Sequence, residues 1–273
     1  MGARMVTRRP VALTIAGTDS GGGAGVVADL KTFEAHDVWG AAAVVAVTAQ
    51  NTLGVQAFDL IRPELVRAQI ASVASDIGVD AAKTGMLGSA ELVEAVAQAV
   101  VELAIRPLVV DPVSVSKHGD PLLAPDAVAS LRDRLVPLAA VVTPNLPEAA
   151  ALVGFPVDSR QAMEEAGRAL VGLGAQVALV KGGHLEDGER SPDVVVSEAG
   201  VDWLEGQRVS GRHTHGTGCV LSAAICAEMA RGMEAADACV AAKAFVTHAI
   251  AAGVDLGAGV GPVDPGWERR ALG

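Results

Sequence analysis

The sequence is poor in basic residues, in cysteines and in aromatic residues. Its 273 residues include 3 cysteines, no tyrosine and a surplus of acidic side chains that gives a formal net charge of −11. An odd number of cysteines without CxxC spacing disfavours a disulfide framework or a zinc site and suits a reducing, cytoplasmic location. A chain this acidic does not hold nucleic acid on a basic surface. No apolar run approaches the roughly 18 residues of a membrane helix, so we expect no membrane partner either.

The sequence does contain enough apolar residues for a large core, because hydrophobic residues make up 51% of it and charged residues only 19%. Short β-branched runs alternate with helical patterns from residue 11 to residue 180. This alternation predicts an α/β fold with a mostly parallel central sheet and helices on both faces. Residues 193–197 and 201–208 predict a small hairpin at the sheet edge.

The domain organisation is predicted to be simple, since the chain shows no internal repeat, low-complexity segment or clear linker. We expect a flexible N-terminal segment, residues 1–10, followed by a single domain, residues 11–273. Within that domain the Gly-rich tail, residues 257–273, is expected to pack as an irregular strap.

Glycine-rich or polar stretches follow the predicted strands one after another. The carboxyl ends of parallel strands meet at one edge of a sheet, where open α/β sheets bind ligands. We therefore expect these stretches to converge on a single site: residues 17–25, 48–52, 84–88, 111–120, 143–148, 181–184 and 213–219.

The last of these stretches predicts an anion site. In His213–Ser222 a Gly-Thr-Gly turn at residues 216–218 leads into an apolar run with helical periodicity. The first N–H groups of a helix lack internal partners, and the helix dipole adds positive potential there. Cys219 lies in the first turn, where this field favours a thiolate. The alternative is a common turn followed by a core cysteine.

The earlier stretches contain further candidate residues. Val26 replaces the third glycine of a dinucleotide fingerprint, and no GxxxxGK[ST] motif occurs, so residues 17–25 form neither of these nucleotide loops. The planar amide of Gln50 suits a ring nitrogen beside an amino group. Polar residues after the later strands suit a metal or a nucleotide, although helix capping and solvent exposure would also explain them: Asp111, Asn145, Glu148 and Lys181.

The chain as a whole resembles the ribokinase-like superfamily, and within it the hydroxymethylpyrimidine kinase / phosphomethylpyrimidine kinase family of thiamine biosynthesis. The similarity runs from the first predicted strand to the last predicted helix. It is found in the stretches LTIAGTDSGGGAGVVADLKTFEA, VTAQNT, KTGMLG, VVDPV, GDPLL, TPNLPEAAAL, VKGGHLED and THGTGCVLSAA. Each motif alone is common, but the set is specific.

The resemblance implies an activity and a distribution of roles. The family uses ATP and Mg²⁺ to phosphorylate 4-amino-5-hydroxymethyl-2-methylpyrimidine, and then phosphorylates the monophosphate. It implies a pyrimidine pocket formed by Gly17, Ala24, Asp29, Gln50 and Met86. It implies that the anion hole, the catalytic base and a lysine facing the phosphates are Gly216, Thr217, Gly218, Cys219 and Lys243. It implies nucleotide contacts by Asp111, Asn145, Glu148, Lys181 and Thr214, with Asp111 and Glu148 toward the metal.

The sequence also departs from the family pattern. Ser20-Gly21 replaces the usual Pro-Ser, residues 114–118 are unusual, and residues 257–263 lack the lysine and histidine of relatives. Three alternatives remain: a pyridoxal or pyridoxine kinase of the same superfamily, a non-catalytic ligand-binding protein, and an oxidoreductase, which the absent dinucleotide fingerprint disfavours. Relatives often form dimers, so a homodimer formed through an apolar edge hairpin is a further hypothesis.

Overall fold

The computed structural model describes residues 8–114, 125–183, 185 and 188–271. Within these ranges the chain forms a sheet with the strand order β3-β2-β1-β4-β5-β6-β7-β8-β9. The strands are β1 (Val11–Gly17), β2 (Trp39–Asn51), β3 (Gly54–Leu60), β4 (Ala81–Thr84), β5 (Leu108–Val110), β6 (Val141–Val142), β7 (Val177–Lys181), β8 (Asp193–Ser197) and β9 (Gly200–Leu204).

The centre of the sheet is parallel, because β2, β1, β4, β5, β6 and β7 all run in the same direction. Antiparallel strands close both edges: β3 pairs with β2, and the hairpin β8–β9 continues from β7. The predicted mostly parallel sheet and its edge hairpin are therefore confirmed. Residues 55–61 also have the pattern of a strand, but that pattern does not predict the antiparallel pairing of β3 along β2.

Helices cover both faces of the sheet. They are α1 (Gly25–Ala35), α2 (Pro63–Asp76), α3 (Ala90–Glu102), α4 (Pro125–Ser130), α5 (Leu146–Val153), α6 (Arg160–Gly172), α7 (Thr217–Ala230), α8 (Ala235–Ala251) and α9 (Trp267–Ala271). Helices α2 to α6 pack over one apolar cluster, and α1, α7 and α8 pack over the other. Because both faces are covered, the central strands are apolar on both sides, as in the buried run Val11–Gly17.

Some helix starts follow directly from local chemistry. Ser89 precedes α3, and its hydroxyl accepts the N–H of Leu92, as the sequence predicts. The pattern from Pro125 to about Leu135 predicts one helix, but α4 ends at Ser130 and a π-helical turn follows at Leu131–Leu135. No helix in the described ranges is long and apolar enough to span a bilayer.

The two ends of the chain are held by specific contacts. Residues 1–7 of the expected flexible segment lie outside the described residues, whereas Arg8 and Arg9 pair with Asp80 and Glu34. The tail packs as a strap whose Val260 N–H donates to the carbonyl of Thr52 at 2.9 Å. The expectation of an irregular tail is incomplete, because the strap continues into α9.

Candidate active site

A cavity of about 490 Å³ opens at the carboxyl edge of the parallel strands. All seven stretches expected to converge contribute residues to its wall, so that expectation is confirmed. Of the candidate residues named from the sequence, those that line the cavity are Gly17, Ala24, Gln50, Met86, Asp111, Asn145, Glu148, Lys181, Thr214, Gly216, Thr217, Gly218, Cys219 and Lys243.

Asp29 is the exception, and the expectation that it lines the pyrimidine pocket is wrong. Its side chain is fully buried in α1, where Oδ2 accepts hydrogen bonds from the Thr14 hydroxyl at 2.6 Å and from Lys83 Nζ at 3.0 Å. Its Oδ1 atom has no hydrogen-bond partner. Although burial disfavours the ammonium, the nearby Asp29, Cys219 and Asp111 raise the pKa of Lys83. A buried Asp29–Lys83 ion pair therefore lies beneath the cavity.

The anion loop has the expected form, a glycine turn at the start of a helix. Gly216 adopts φ 81°, in the left-handed region that favours glycine, and α7 starts at Thr217. The Thr217 hydroxyl donates to the carbonyl of Thr214 at 2.8 Å. A Cβ atom on Gly218 would lie 3.5 Å from Lys181 Nζ and 3.8 Å from Asp111 Oδ2. The N-terminus of α7 thus lies beside a lysine and a carboxylate.

Cys219 lies in the first turn of α7, as expected, but its thiol is not activated. Burial raises the pKa of Cys219 to about 12, even though the Lys83 ammonium acts in the opposite direction. The expectation that the helix field produces a thiolate is therefore wrong for the protein without substrate, because desolvation outweighs that field. Cys226 and Cys239, which lie in stretches with helical periodicity typical of core positions, are fully buried.

A buried charge cluster occupies the wall between β5 and β7. Lys181 Nζ lies 3.2 Å from Asp111 Oδ1 and 3.8 Å from Glu148 Oε2. The hydroxyls of Thr143 and Ser222 each donate to Asp111 at 3.1 Å. Although burial disfavours its charge, the two lysines Lys181 and Lys83 lower the pKa of Asp111. Burial raises the pKa of Glu148.

Asn145 and Glu148 also form a capping box at the start of α5. The Asn145 side chain accepts the N–H of Glu148 at 2.9 Å, and the Glu148 carboxylate accepts the N–H of Asn145 at 2.8 Å. The capping alternative is therefore present in the structure. It does not compete with a binding role, because both residues also line the cavity.

Lys243 lines the cavity from α8, but its ammonium is already engaged. It donates to Asp193 Oδ2 at 2.7 Å and to the carbonyl of Ser191 at 2.9 Å. The ammonium thus links α8 to the start of β8, and its role toward the phosphates stays a prediction. Arg208, which the sequence analysis did not identify, stabilises the same wall. Its guanidinium donates to the carbonyls of Gly183 and Leu185.

Gln50 lies near the end of β2, with its backbone held by a residue that departs from the family pattern. The Ser20 hydroxyl donates to the Gln50 carbonyl at 2.9 Å and accepts the Gln50 N–H at 2.8 Å. The Thr48 hydroxyl donates to the carbonyl of Thr18 at 2.9 Å and lies 3.5 Å from Gln50 Oε1. Proline at position 20 has no hydroxyl for these bonds, so serine gives this chain its own way to fix the Gln50 backbone.

The family model for phosphomethylpyrimidine kinase matches residues 19–264 of the chain. The chain belongs to this family. A hydroxymethylpyrimidine/phosphomethylpyrimidine kinase from Streptomyces coelicolor is 51% identical over 258 residues, which cover 94% of this chain and 95% of that protein.

Solved structures of pyridoxal kinases are also similar to this member of the phosphomethylpyrimidine kinase family. The ADP complex of the Bacillus subtilis enzyme gives a TM-score of 0.89 at 39% identity and covers 96% of this chain and 99% of that one. The Staphylococcus aureus enzyme with AMP-PCP and pyridoxal gives 0.86 at 34% identity, covering 96% of each chain. The predicted ribokinase-like α/β architecture is confirmed by these neighbours.

The cavity has a donor set that fits the magnesium ion of a phosphomethylpyrimidine kinase. Mg²⁺ in phosphoryl-transfer sites is held by one or two carboxylates together with substrate phosphates and water. Asp111 and Glu148 supply two carboxylates, bridged here by Lys181. No group of three or more His, Cys, Asp or Glu side chains in the described ranges forms a complete protein cage for a metal.

Sequence reasoning did not assign a role to three residues of this site: Asp19, Lys83 and His215. The signal for Lys83 was present, since a charged residue inside an apolar strand is costly to bury unless it has a partner. His215 adjoins the predicted anion loop, and its Nε2 lies 2.9 Å from Asp19 Oδ2. That contact joins residues 196 positions apart, and no local pattern predicts it.

Proposed function

We propose that the protein is a bifunctional kinase of thiamine biosynthesis. It transfers the γ-phosphoryl group of ATP to the hydroxymethyl group of 4-amino-5-hydroxymethyl-2-methylpyrimidine, and it then phosphorylates the monophosphate. The observation that carries this proposal is a single cavity that unites Gln50, the N-terminus of α7 and the Lys181 charge cluster. The curated relatives that share this activity name, at 46% identity or more over most of the chain, support the same assignment.

The acceptor is assigned to the wall formed by β1, β2 and the loop after β4. Gly17, Ala24 and Met86 supply a mostly apolar surface for a flat ring. The Gln50 amide offers one acceptor and two donors, which match the amino group and the adjacent ring nitrogen of an aminopyrimidine. The pocket thus orients the hydroxymethyl group toward the N-terminus of α7.

The phosphates of ATP are assigned to the opposite part of the same cavity. Lys181 and the N–H groups of Gly216, Thr217 and Gly218 neutralise and orient the phosphates. Asp111 and Glu148 would hold Mg²⁺, which would supply positive charge to offset the charge that develops on the phosphates. Thr143 and Ser222 keep Asp111 oriented and ionised through the hydroxyl bonds described above. Asn145 and Thr214 complete the nucleotide side.

Cys219 is assigned as the base for the first transfer. Phosphoryl transfer passes through a loose transition state, in which the acceptor oxygen is only weakly bonded until late. With a pKa of about 12 the thiol is protonated before transfer, so Cys219 first releases its proton to solvent. The thiolate then accepts the hydroxymethyl proton as the new O–P bond forms and the bond to ADP breaks, and it returns to its ordinary state as a protonated thiol. In the second transfer the acceptor is an ionised phosphate oxygen, which needs little deprotonation.

The role of Cys219 leads to a different result for each of the two transfers. Replacing Cys219 with alanine is expected to lower kcat of the first transfer about 100-fold, the range of a single proton-transfer group. The second transfer is expected to change far less. Steady-state kinetics with each acceptor separately measure both values, and equal losses in the two transfers would refute the assignment of Cys219 as a base.

Comparing acceptors in a coupled assay for ADP release tests the proposed function. The proposal predicts turnover with the hydroxymethylpyrimidine and with its monophosphate, at a kcat/KM above that for pyridoxal. The similarity to pyridoxal kinases favours pyridoxal as the second candidate acceptor. Higher kcat/KM for pyridoxal would assign the chain to that activity. No ADP release with any of the three acceptors would support the non-catalytic alternative.

We also propose a cytoplasmic homodimer that packs through the β2–β3 edge. An apolar surface is more exposed there than at β8–β9, because Phe58 and Leu60, which share one face of β3, are 42% and 40% exposed. Trp203 of β9 instead packs partly buried against the core. Light scattering after size exclusion should give twice the monomer mass, and Phe58→Asp should give monomers. A monomeric wild-type protein would refute the dimer.

A further inference from the structure

The loop at residues 17–25 and the loop at residues 213–219 meet at one buried contact between side chains. His215 Nε2 lies 2.9 Å from Asp19 Oδ2. The side chains of His215 and Asp19 are 7% and 2% exposed. The contact joins the loop assigned to the acceptor with the loop assigned to the transferred phosphoryl group. It lies outside every role given to the site above.

The Asp19 carboxylate fixes the conformation of its own loop. Its Oδ1 accepts the N–H of Gly21 at 2.8 Å, and its Oδ2 accepts the N–H groups of Gly23 at 3.0 Å and Ala24 at 2.9 Å. Although burial disfavours the charge, the His215 ring and these backbone donors lower the pKa of Asp19. The carboxylate thus remains ionised and orders the residues that precede α1.

His215 is held equally firmly from the other side by the C-terminal strap. Its N–H donates to the carbonyl of Gly261 at 3.0 Å, and its carbonyl accepts the N–H of Val263 at 3.1 Å. The backbone of His215 therefore cannot follow Asp19 freely, and the ring contact sets the distance between the two loops.

The backbones of the two loops pack closely at this point. A Cβ atom on Gly216 would lie 1.9 Å from the Gly23 carbonyl oxygen, and one on Gly23 would lie 2.6 Å from Cδ2 of His215. Since the backbones already touch, a change in the ring contact moves Gly216–Gly218 relative to Gly17 and Ala24.

We propose that Asp19 and His215 are positioning residues. They hold the acceptor loop, residues 17–25, and the phosphoryl loop, residues 213–219, in register for in-line transfer. This rests on the proposed function, which assigns the acceptor to one loop and the phosphoryl group to the other. In-line attack requires the reacting atoms about 3–3.5 Å apart, so a small separation of the loops slows transfer while each substrate still binds.

The kinetic test compares His215→Ala with His215→Gln. We expect His215→Ala to lower kcat about 100-fold, the effect of a misplacement of about 1 Å, with KM for ATP changed less than about threefold. Glutamine carries an amide N–H at a similar reach, so His215→Gln should recover kcat to within about tenfold of wild type. His36→Ala is the matched control, because His36 is also a buried histidine but does not line the cavity.

A double-mutant cycle tests whether the two residues act as a unit. His215→Ala should lower kcat much less in the Asp19→Asn background than in wild type, since the contact is already lost there. Additive losses would contradict the proposal, as would wild-type kcat in His215→Ala. Equal defects in His215→Gln and His215→Ala, with thermal unfolding unchanged, would also contradict it.

A measurement without turnover separates this proposal from the proposed function. Hydrogen exchange of the peptide covering residues 17–27 should be faster in His215→Ala than in wild type, because Asp19 then loses a constraint on the amides that it binds. Unchanged exchange would overturn the positioning role whatever the substrate is. Failure of wild type to phosphorylate the pyrimidines would instead refute the proposed function, and the same variants would then be compared with the acceptor that is phosphorylated.

Discussion

At the scale of single residues, Cys219 shows how burial overrides a local field. The helix N-terminus and Lys83 favour a thiolate, yet desolvation raises the pKa of Cys219 to about 12. The thiolate fraction should then rise about tenfold per pH unit from about pH 7 to about pH 10 without reaching a plateau. The rate at which iodoacetamide labels Cys219, followed by peptide mass spectrometry, reports the thiolate fraction at each pH.

The labelling experiment has an internal reference in the other two cysteines. Cys226 and Cys239 are fully buried in the folded protein and should remain unlabelled under the same conditions. Cys219→Ser removes the signal and confirms its assignment. A labelling rate that levels off below about pH 8 would mean that the site activates the thiol after all.

Ser20 occupies a position at which the resemblance to the family predicts proline, and its side chain contacts Gln50. Its hydroxyl makes two bonds to the backbone of Gln50. A hydrogen bond contributes roughly 1 kcal/mol net, so Ser20→Ala should raise KM for the pyrimidine about fivefold and leave KM for ATP unchanged. Steady-state kinetics measure both constants, with Ser75→Ala, an exposed serine of α2, as the control. Equal KM values in Ser20→Ala and wild type would exclude this role.

At the scale of elements, the start of α7 depends on one backbone conformation. Gly216 has φ 81°, and a side chain there would clash with the Gly23 carbonyl. Gly216→Ala should therefore destabilise the fold by at least about 1 kcal/mol. It should also lower kcat about 100-fold by moving the anion loop.

Gly172 provides the matched comparison for this substitution. It lies in α6, and a Cβ atom there would meet nothing within 4 Å. Gly172→Ala should stabilise the protein by about 0.5 kcal/mol with unchanged activity. Chemical denaturation and the ADP-release assay give both quantities. A Gly216→Ala protein with wild-type kcat would contradict the structural account of the anion loop.

The elements differ in how far their sequence predicts them. Ser89 and the β8–β9 hairpin follow from local capping and alternation, and the structure has both. The apolar run at residues 41–47 predicts a strand, but β2 spans Trp39–Asn51, because pairing with β1 begins before the run and pairing with β3 continues beyond it. The buried partner of Lys83 was not predictable, since Asp29 reaches it only through the adjacency of β1 and β4.

At the scale of the whole molecule, the parallel sheet explains why one site gathers distant motifs. Strand direction alone made convergence predictable, and all seven stretches reach the cavity. The direction of each side chain within the cavity was not predictable. Lys243 binds Asp193, and Asp29 lies below the wall, because both depend on tertiary contacts made after the sheet has formed.

Phosphorus NMR of the products tests the central claim most directly. The protein would be incubated with ATP and Mg²⁺ and, in separate samples, with the hydroxymethylpyrimidine, its monophosphate or pyridoxal. If one cavity carries out both steps, the sample with the hydroxymethylpyrimidine should contain its monophosphate, and the sample with the monophosphate should contain the diphosphate. A phosphorylated product only in the pyridoxal sample would contradict the bifunctional pyrimidine kinase and would show that Gln50 does not select an aminopyrimidine.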